Sequence, residues 1–194
     1  LCLAMLALFG MVILLPIYLQ TVRGIGALAT GLMLLPGGLL MGLAGPTVGR
    51  TIDRYGPRVL TVPGAVLLTF TMWQFSNVGP TTPIWMLIGL HMVLMLGLAC
   101  LFTPAFTAGL NPLPPYLYSH GSAILSTLQQ VAGALGTAMF ISVATLGSHD
   151  TTAASPDAAG LRAAFIVAGI VGLIAFAGSW LIRRGPAPQP AAHH

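Results

Sequence analysis

The chain has 194 residues, of which 56% are hydrophobic and only 5% are charged, and its formal net charge is +4. Soluble domains carry about 25% charged residues, so this composition excludes a water-soluble globular protein and predicts one whose solvent is the lipid bilayer. All seven basic residues are arginines spread among long apolar runs. This distribution excludes the continuous basic face of a nucleic-acid-binding protein, and no nucleic-acid partner is expected.

Six apolar runs are long enough to cross a bilayer, which takes about 20 residues in a helix. Because the runs are long and unbroken, helices are favoured over barrel strands, which would show short segments of alternating polarity. The sequence therefore predicts an all-α membrane protein with six transmembrane helices. The predicted spans are 1–19, 28–48, 59–75, 84–108, 122–146 and 161–182.

The ends of the chain lead to two further expectations. Residues 1–182 should form one six-span bundle, and the proline-rich residues 183–194 should form a disordered tail. Residues 1–19 have no initiator methionine, no charged leading region and no cleavage site, so a signal peptide is not expected there. Because the chain starts inside an apolar run, we expect it to be a fragment of a larger protein.

Arginine counts predict the orientation of the bundle, since cytoplasmic loops carry an excess of basic residues. With six spans, five arginines fall on one side of the membrane and two on the other. The richer side is expected to be the cytoplasm, which places the 49–58 loop and the C-terminal tail there, in the plasma membrane. The five are Arg50, Arg54, Arg58, Arg183 and Arg184, and the two are Arg23 and Arg162.

Small residues four apart recur within the spans, a spacing that lets helix backbones approach closely in lipid. Four such pairs are candidates for helix contacts, and four prolines within the spans should kink or break their helices. The pairs are Gly38 with Gly42, Gly45 with Gly49, Ala132 with Gly136, and Ala168 with Gly172. The prolines are Pro36, Pro46, Pro63 and Pro104.

The loop GRTIDRYGPR, residues 49–58, holds four of the ten charged residues. Its carboxylate, Asp53, is placed to pair with Arg54 or Arg58, or to accept hydrogen bonds from the N-terminus of a neighbouring helix. Such a contact would form in one conformation and break in another, which makes the loop a candidate conformational switch. The simpler alternative is an arginine anchor on the cytoplasmic side.

This loop resembles the G-x-x-x-D-R-x-G-x-R loop between the second and third helices of each half of the major facilitator superfamily. The matching positions are Gly49, Asp53, Arg54, Gly56 and Arg58. The stretches LPIYLQTVRGIGALATGLMLLPGGLLMGLAGPTVGR and LFTPAFTAGLNPLPPYLYSHGSAILSTLQQVAGALGTA are similar to the fourteen-span drug:proton antiporters of the EmrB/QacA type. The resemblance covers roughly residues 16–145.

The resemblance implies that the chain is the C-terminal six-helix half of such a transporter, without the N-terminal half and two linking helices. It implies proton-coupled efflux of small amphiphilic molecules by alternating access, with protons and the missing half as partners. The alternatives are a carrier of the same superfamily for another solute, such as a metabolite or sugar, and a non-transporting membrane fragment.

Polar side chains at membrane depth normally face the bundle interior or a water-filled cavity, so they indicate a substrate site. In the fifth span Ser122, Ser126 and Gln129 share one helical face, although hydrogen bonding between helices is an equal alternative for its polar groups. In transporters of the resembling type an arginine often occupies one of the two glutamine positions, so a charge-based role is not expected here. The cavity candidates are Gln129, Gln130, Ser126, Thr103, Asn111 and His91.

His91 is the one ionisable candidate, and it lies in the outer part of the fourth span. An ionisable group at membrane depth is a candidate for a proton or substrate path, and a hydrogen-bonded structural histidine is the alternative. No acidic residue lies at membrane depth, so the resemblance places the coupling carboxylate in the missing half. The chain has no catalytic motif and no metal-ligand spacing, so neither an enzyme nor a cofactor is expected.

Overall fold

The computed structural model describes residues 2–149 and 156–180, and within these two ranges it is entirely helical. Six helices are long and apolar enough to cross a membrane, which confirms the all-α, six-span prediction. The π-helical turn Tyr18–Val22 extends the first helix, and the 3-10 turn Pro115–Leu117 precedes the fifth. The helices are α1 Cys2–Ile17, α2 Ala27–Tyr55, α3 Arg58–Ser76, α4 Ile84–Leu110, α5 Tyr118–Leu146 and α6 Ala158–Trp180.

Several helices extend beyond the apolar runs that predicted them. The second helix continues seven residues past its predicted end and stops at Gly56, whose φ of 82° is left-handed and whose N–H donates to the Ile52 carbonyl at 2.8 Å. The helix outlasts the apolar run because backbone hydrogen bonds, and not side-chain polarity, propagate it. Helix also continues through the four prolines predicted to kink or break the spans, so none of them breaks its helix.

The first three helices pack mainly against the last three. The third helix lies between α4 and α6, while α2 packs on α4 and α1 packs on α5. Exchanging α1, α2 and α3 for α4, α5 and α6 turns the α2–α4 contact into the α5–α1 contact and leaves α3–α6 unchanged. Since consecutive helices run in opposite directions, this pairing is that of two inverted three-helix repeats.

The buried core is apolar and is closed by aromatic rings at the end that carries the α3–α4 turn. Phe75 and Phe165 stack with their centroids 5.5 Å apart, and Tyr18 meets Phe165 edge-on at 6.5 Å. The Tyr18 hydroxyl donates to the Gly79 carbonyl at 2.7 Å, and the Arg23 guanidinium donates to the Thr82 carbonyl. These bonds tie the end of α1 to the turn between α3 and α4.

Exposed aromatic residues lie near both ends of the bundle. Trp73 and Trp85 are exposed at the end that carries the α3–α4 turn. Tyr55, Tyr116 and Tyr118 are exposed at the opposite end, beside the 49–58 loop. Tryptophan and tyrosine concentrate at the two membrane–water interfaces, so these rings mark the apolar slab that lies between them.

Two of the four small-residue pairs form helix contacts, and two do not. A Cβ on Gly136 would lie 2.5 Å from the Leu6 carbonyl oxygen of α1, and one on Gly172 would lie 3.1 Å from Thr69 Cα of α3. The expected contacts at Gly38–Gly42 and Gly45–Gly49 of α2 are wrong for this bundle, because a Cβ at any of these positions would meet nothing within 4 Å. Spacing alone does not fix which way a helix face points.

Replacing Gly136 with alanine tests the α1–α5 contact. The new Cβ would lie 2.5 Å from the Leu6 carbonyl oxygen and 2.8 Å from Leu6 Cα, and backbone atoms do not move aside cheaply. We expect Gly136→Ala to lower the free energy of unfolding by about 1–3 kcal/mol, measured by thermal or denaturant unfolding in detergent. The matched control, Gly42→Ala, should be neutral or slightly stabilising; equal losses in both variants would contradict the close contact.

Candidate functional site

A cleft of about 460 Å³ lies between α1, α2, α4 and α5. Its wall includes the first turns of α1 and the last turns of α4, which lie at the same end of the bundle as the 49–58 loop. The cleft is open and not enclosed. The lining residues are Met5, Leu8, Met41, Phe102, Thr103, Phe106, Thr107 and Gln129.

The cleft wall is apolar with three neutral polar groups and no charged side chain. The Thr107 hydroxyl donates to the Thr103 carbonyl at 2.9 Å and so stays within its helix. Within the described residues, the Thr103 hydroxyl and the Gln129 carboxamide have no protein partner. The wall therefore offers apolar contact together with hydrogen-bond donors and acceptors, a combination suited to an amphiphilic ligand.

Two of the six predicted cavity residues, Thr103 and Gln129, are brought together in this cleft. Ser126, Gln130 and Asn111 are exposed and lie outside its lining. The apolar lining residues were missed because nothing in the sequence separates an apolar side chain that faces a cleft from one that faces lipid.

His91, the sixth candidate, is buried between α4 and α2 and not in the cleft. Its side chain is 7% exposed and lies against Gly37, where a Cβ would overlap the ring. The Nδ1 atom is buried and has no hydrogen-bond partner in the part of the chain that the structure describes. The expected alternative of a hydrogen-bonded structural histidine therefore finds no support at this nitrogen.

The 49–58 loop forms a short connection at one end of the bundle. Gly56 turns the chain between α2 and α3, and the Arg54 guanidinium lies 5.3 Å from the centroid of the Tyr55 ring. Asp53 and Arg54 are exposed. The suggested pairing of Asp53 with Arg54 or Arg58 is absent: among residues 2–149 and 156–180 the one ion pair joins His149 and Asp157. Within those ranges Asp53 therefore presents an unpaired carboxylate at the loop end of the bundle.

That ion pair closes the connection between α5 and α6 at the opposite end. One Asp157 carboxylate oxygen accepts the Gly160 N–H at 2.8 Å, and the other accepts the His149 N–H at 3.0 Å and meets its Nδ1 at 2.9 Å. These bonds, led by that from Gly160, hold the pKa of Asp157 well below its usual range. Sequence analysis missed this cap, although an aspartate directly before an apolar run is a helix-start signal.

The described part of the chain contains no group of three or more histidine, cysteine or acidic residues close enough together to hold a metal ion. Cys2 and Cys100 are free thiols, the first exposed and the second buried. The candidate site therefore consists of the neutral cleft, the charged loop at the same end and the isolated His91.

The fold and the cleft define a multi-pass helical membrane protein built from inverted repeats, and sequence comparison supplies the family. The Major Facilitator Superfamily model matches residues 1–137. The chain belongs to this superfamily, as the 49–58 loop had indicated.

The similar curated proteins are transporters and resistance proteins. The lincomycin resistance protein LmrB of Bacillus subtilis (strain 168) is 42% identical over 191 residues, covering 93% of this chain and 40% of that protein. The uncharacterized MFS-type transporter YcnB of the same strain is 39% identical over 190 residues, covering 95% of this chain and 40% of its own length. The multidrug resistance protein B homolog of Mycobacterium tuberculosis (strain CDC 1551 / Oshkosh) is 32% identical over 136 residues, covering 69% of this chain and 25% of that protein.

This chain therefore spans about two fifths of the length of the first two relatives. The fold and the family apply to the chain itself, whereas activity, substrates and partners of the whole are matters for proposal.

Proposed function

We propose that the chain is the C-terminal six-helix half of a proton-coupled transporter that exports small amphiphilic molecules across the plasma membrane by alternating access. The observation that carries this proposal is the open cleft between α1, α2, α4 and α5. Its lining is neutral and consists of apolar, hydroxyl and amide groups. The names of the relatives, lincomycin resistance and multidrug resistance proteins, support export of drugs.

The uncovered helices support an N-terminal half as the partner. Only 11% of the α2 span and 22% of the α5 span are buried, against 44–50% for the other four, so α2 and α5 are the least covered helices of the bundle. The α2 glycine pairs that touch nothing lie on this uncovered helix and would allow close approach of another helix. A second half placed against α2 and α5 would close the cleft into a cavity between halves, where substrates of such carriers bind.

Alternating access then becomes a rocking of two rigid halves about the cavity, with the 49–58 loop at the hinge. The unpaired carboxylate of Asp53 is available to a helix N-terminus of the other half, whose partial positive charge favours it. Such a contact is made in one orientation of the halves and lost in the other. Since this chain has no carboxylate at membrane depth, the group that couples export to the proton gradient is proposed to lie in the other half.

The proposed orientation places the 49–58 loop in the cytoplasm, so that the cleft opens inward. Five of the seven arginines then lie on the inner side. Residues 1–182 are proposed to act as one bundle, and the tail 183–194, which lies outside the described residues, would also be cytoplasmic.

Cysteine labelling checks this orientation. With the native cysteines replaced by alanine, a cysteine at Arg54 should react with a membrane-impermeant maleimide only after the cytoplasmic face is opened. A cysteine at His149, which is exposed at the other end, should react in intact cells without that step. Labelling of position 54 from outside would overturn both the topology and the inward-open cleft.

Substitution of Asp53 tests the switch. In a full-length transporter containing this chain, Asp53→Asn should slow export roughly ten-fold, equivalent to about 1.4 kcal/mol between the two orientations, while the protein still inserts into the membrane. The measurement is the initial rate of substrate efflux from cells, normalised to the amount of protein in the membrane. Asp157→Asn, at the opposite end, is the matched control and should leave the rate unchanged. A native rate in Asp53→Asn would leave the loop as an anchor only.

Substitution of Gln129 tests the cleft. Removing its carboxamide should cost about 1 kcal/mol, or roughly five-fold in affinity, for substrates that hydrogen-bond to it, and little for purely apolar ones. In the full-length transporter, Gln129→Ala should therefore change the spectrum of compounds that cells tolerate. The neighbouring Gln130→Ala, outside the cleft lining, should preserve the native spectrum. Identical spectra for Gln129→Ala and the native protein would remove Gln129 from the site, and uptake or export of a sugar or metabolite in place of drugs would favour the other carrier class.

A further inference from the structure

His91 fills a space that the neighbouring helix leaves for it. It lies in the second turn of α4, seven residues after Ile84, and its ring rests on the backbone of α2 at Gly37. A Cβ at position 37 would lie 2.6 Å from His91 Cε1 and would overlap Nδ1. Any side chain larger than that of glycine would therefore push the imidazole out of the contact.

The contact accepts only one protonation state of the ring. In a neutral imidazole with its proton on Nε2, the Nδ1 atom is unprotonated, whereas the cationic ring carries a proton on both nitrogens. A proton on Nδ1 would point into the α2–α4 contact, where this atom is buried and has no acceptor among the described residues. A buried cationic donor without an acceptor is strongly unfavourable, so protonation and this packing exclude one another.

No charged group is placed to compensate a cation at this position. On α2 the nearest ionisable side chain, Arg50, lies thirteen residues beyond Gly37, which is about 20 Å along a helix. The Tyr18 hydroxyl, in the π-helical turn that extends α1, donates a hydrogen bond to the Gly79 carbonyl. The remaining ionisable side chains of α4 and of the helices packed on it are Cys2 on α1, Asp53, Arg54 and Tyr55 on α2, Arg58 on α3, Cys100 on α4, and Tyr118 and His120 on α5.

We propose that His91 is a proton-binding site in the outer half of this bundle, and that only its neutral form packs against Gly37. A proton from water adds to the Nδ1 lone pair, and the cationic ring leaves the contact, which separates α2 from α4 at this level. Closing the contact again requires release of the proton. The position lies about 10 Å along α4 from its outer end, within reach of water once the helices part.

This inference goes beyond the proposed function, because it concerns a contact within one half and needs no transported molecule. It assigns a titratable group to a half that has no carboxylate at membrane depth. Its test is a helix–helix distance, so its failure and the failure of the export proposal are distinguishable.

The experiment measures the distance between the outer ends of α2 and α4 by pulsed electron paramagnetic resonance. Spin labels are attached to cysteines at Ala29 and Ile84, both exposed, in the full chain with Cys2→Ala and Cys100→Ala, in lipid nanodiscs. Spectra from about pH 8 down to about pH 4 extend below the range in which an ordinary histidine changes charge, because burial without an acceptor opposes the charged form of the ring. The native sequence should shift toward longer distances at the lower pH.

Four variants separate His91 from other sources of a pH response. His91→Phe and His91→Gln bind no proton in this range and should abolish the shift. Two different substitutions are made at this position so that the result does not depend on a single variant that disturbs folding. Gly37→Ala should show the long distance throughout this pH range, because its Cβ excludes the ring. His149→Phe removes another histidine near the same end of the bundle and should keep the native shift.

The proposal is overturned if the native distance is independent of pH, or if the shift survives in both His91→Phe and His91→Gln. It is also overturned if Gly37→Ala keeps the short distance throughout this pH range, because the ring would then not depend on the space above Gly37. Loss of the shift in His149→Phe would assign the response to the outer connection and would likewise overturn it.

Discussion

Lipid removes the hydrophobic force between helices, and most features of this bundle follow from that constraint. Apolar side chains gain nothing by leaving a hydrocarbon solvent, so the helices must associate through close packing and a few hydrogen bonds. The α1–α5 contact shows this at Gly136, where the missing side chain lets the Leu6 backbone approach. The same holds between α3 and α4, where a Cβ on Gly64 would lie 2.9 Å from the Gly97 carbonyl oxygen. Charge is accordingly confined to the ends of the helices.

The same constraint explains why two helices remain uncovered. The third helix has neighbours on two sides, whereas α2 and α5 are the least buried of the six. Their open faces carry leucines, small residues and scattered polar groups such as Gln130 and Ser126. A face of this kind is stable against lipid and equally suited to a second bundle, and the proposed partner half would close the cleft beside it into a cavity. Family membership and the length of the relatives both agree with such a partner.

The bundle keeps its polar functions apart from one another. Neutral hydrogen-bonding groups line the cleft. The Asp53 carboxylate, unpaired among the described residues, lies at the loop end of the bundle. The buried imidazole of His91 lies toward the end that carries the α3–α4 turn. Because the cleft wall carries no charge, a protonation event elsewhere in the bundle does not change what the wall can bind directly. It acts through helix positions, and the α2–α4 contact is suited to this because α2 and α4 each contribute side chains to the cleft.

The number and order of the spans were determined by the sequence alone, which also predicts their sidedness. Transfer of a segment into lipid depends on its own length and composition, and the arginine count depends only on position along the chain. The position of the 49–58 loop likewise depends only on nearby sequence, since Gly56 turns the chain between the second and third apolar runs. Which faces meet was decided only by tertiary structure. In a bilayer both lipid-facing and neighbour-facing surfaces are apolar, so the pattern could not place Gln129 in the cleft and Gln130 outside it, or His91 against Gly37.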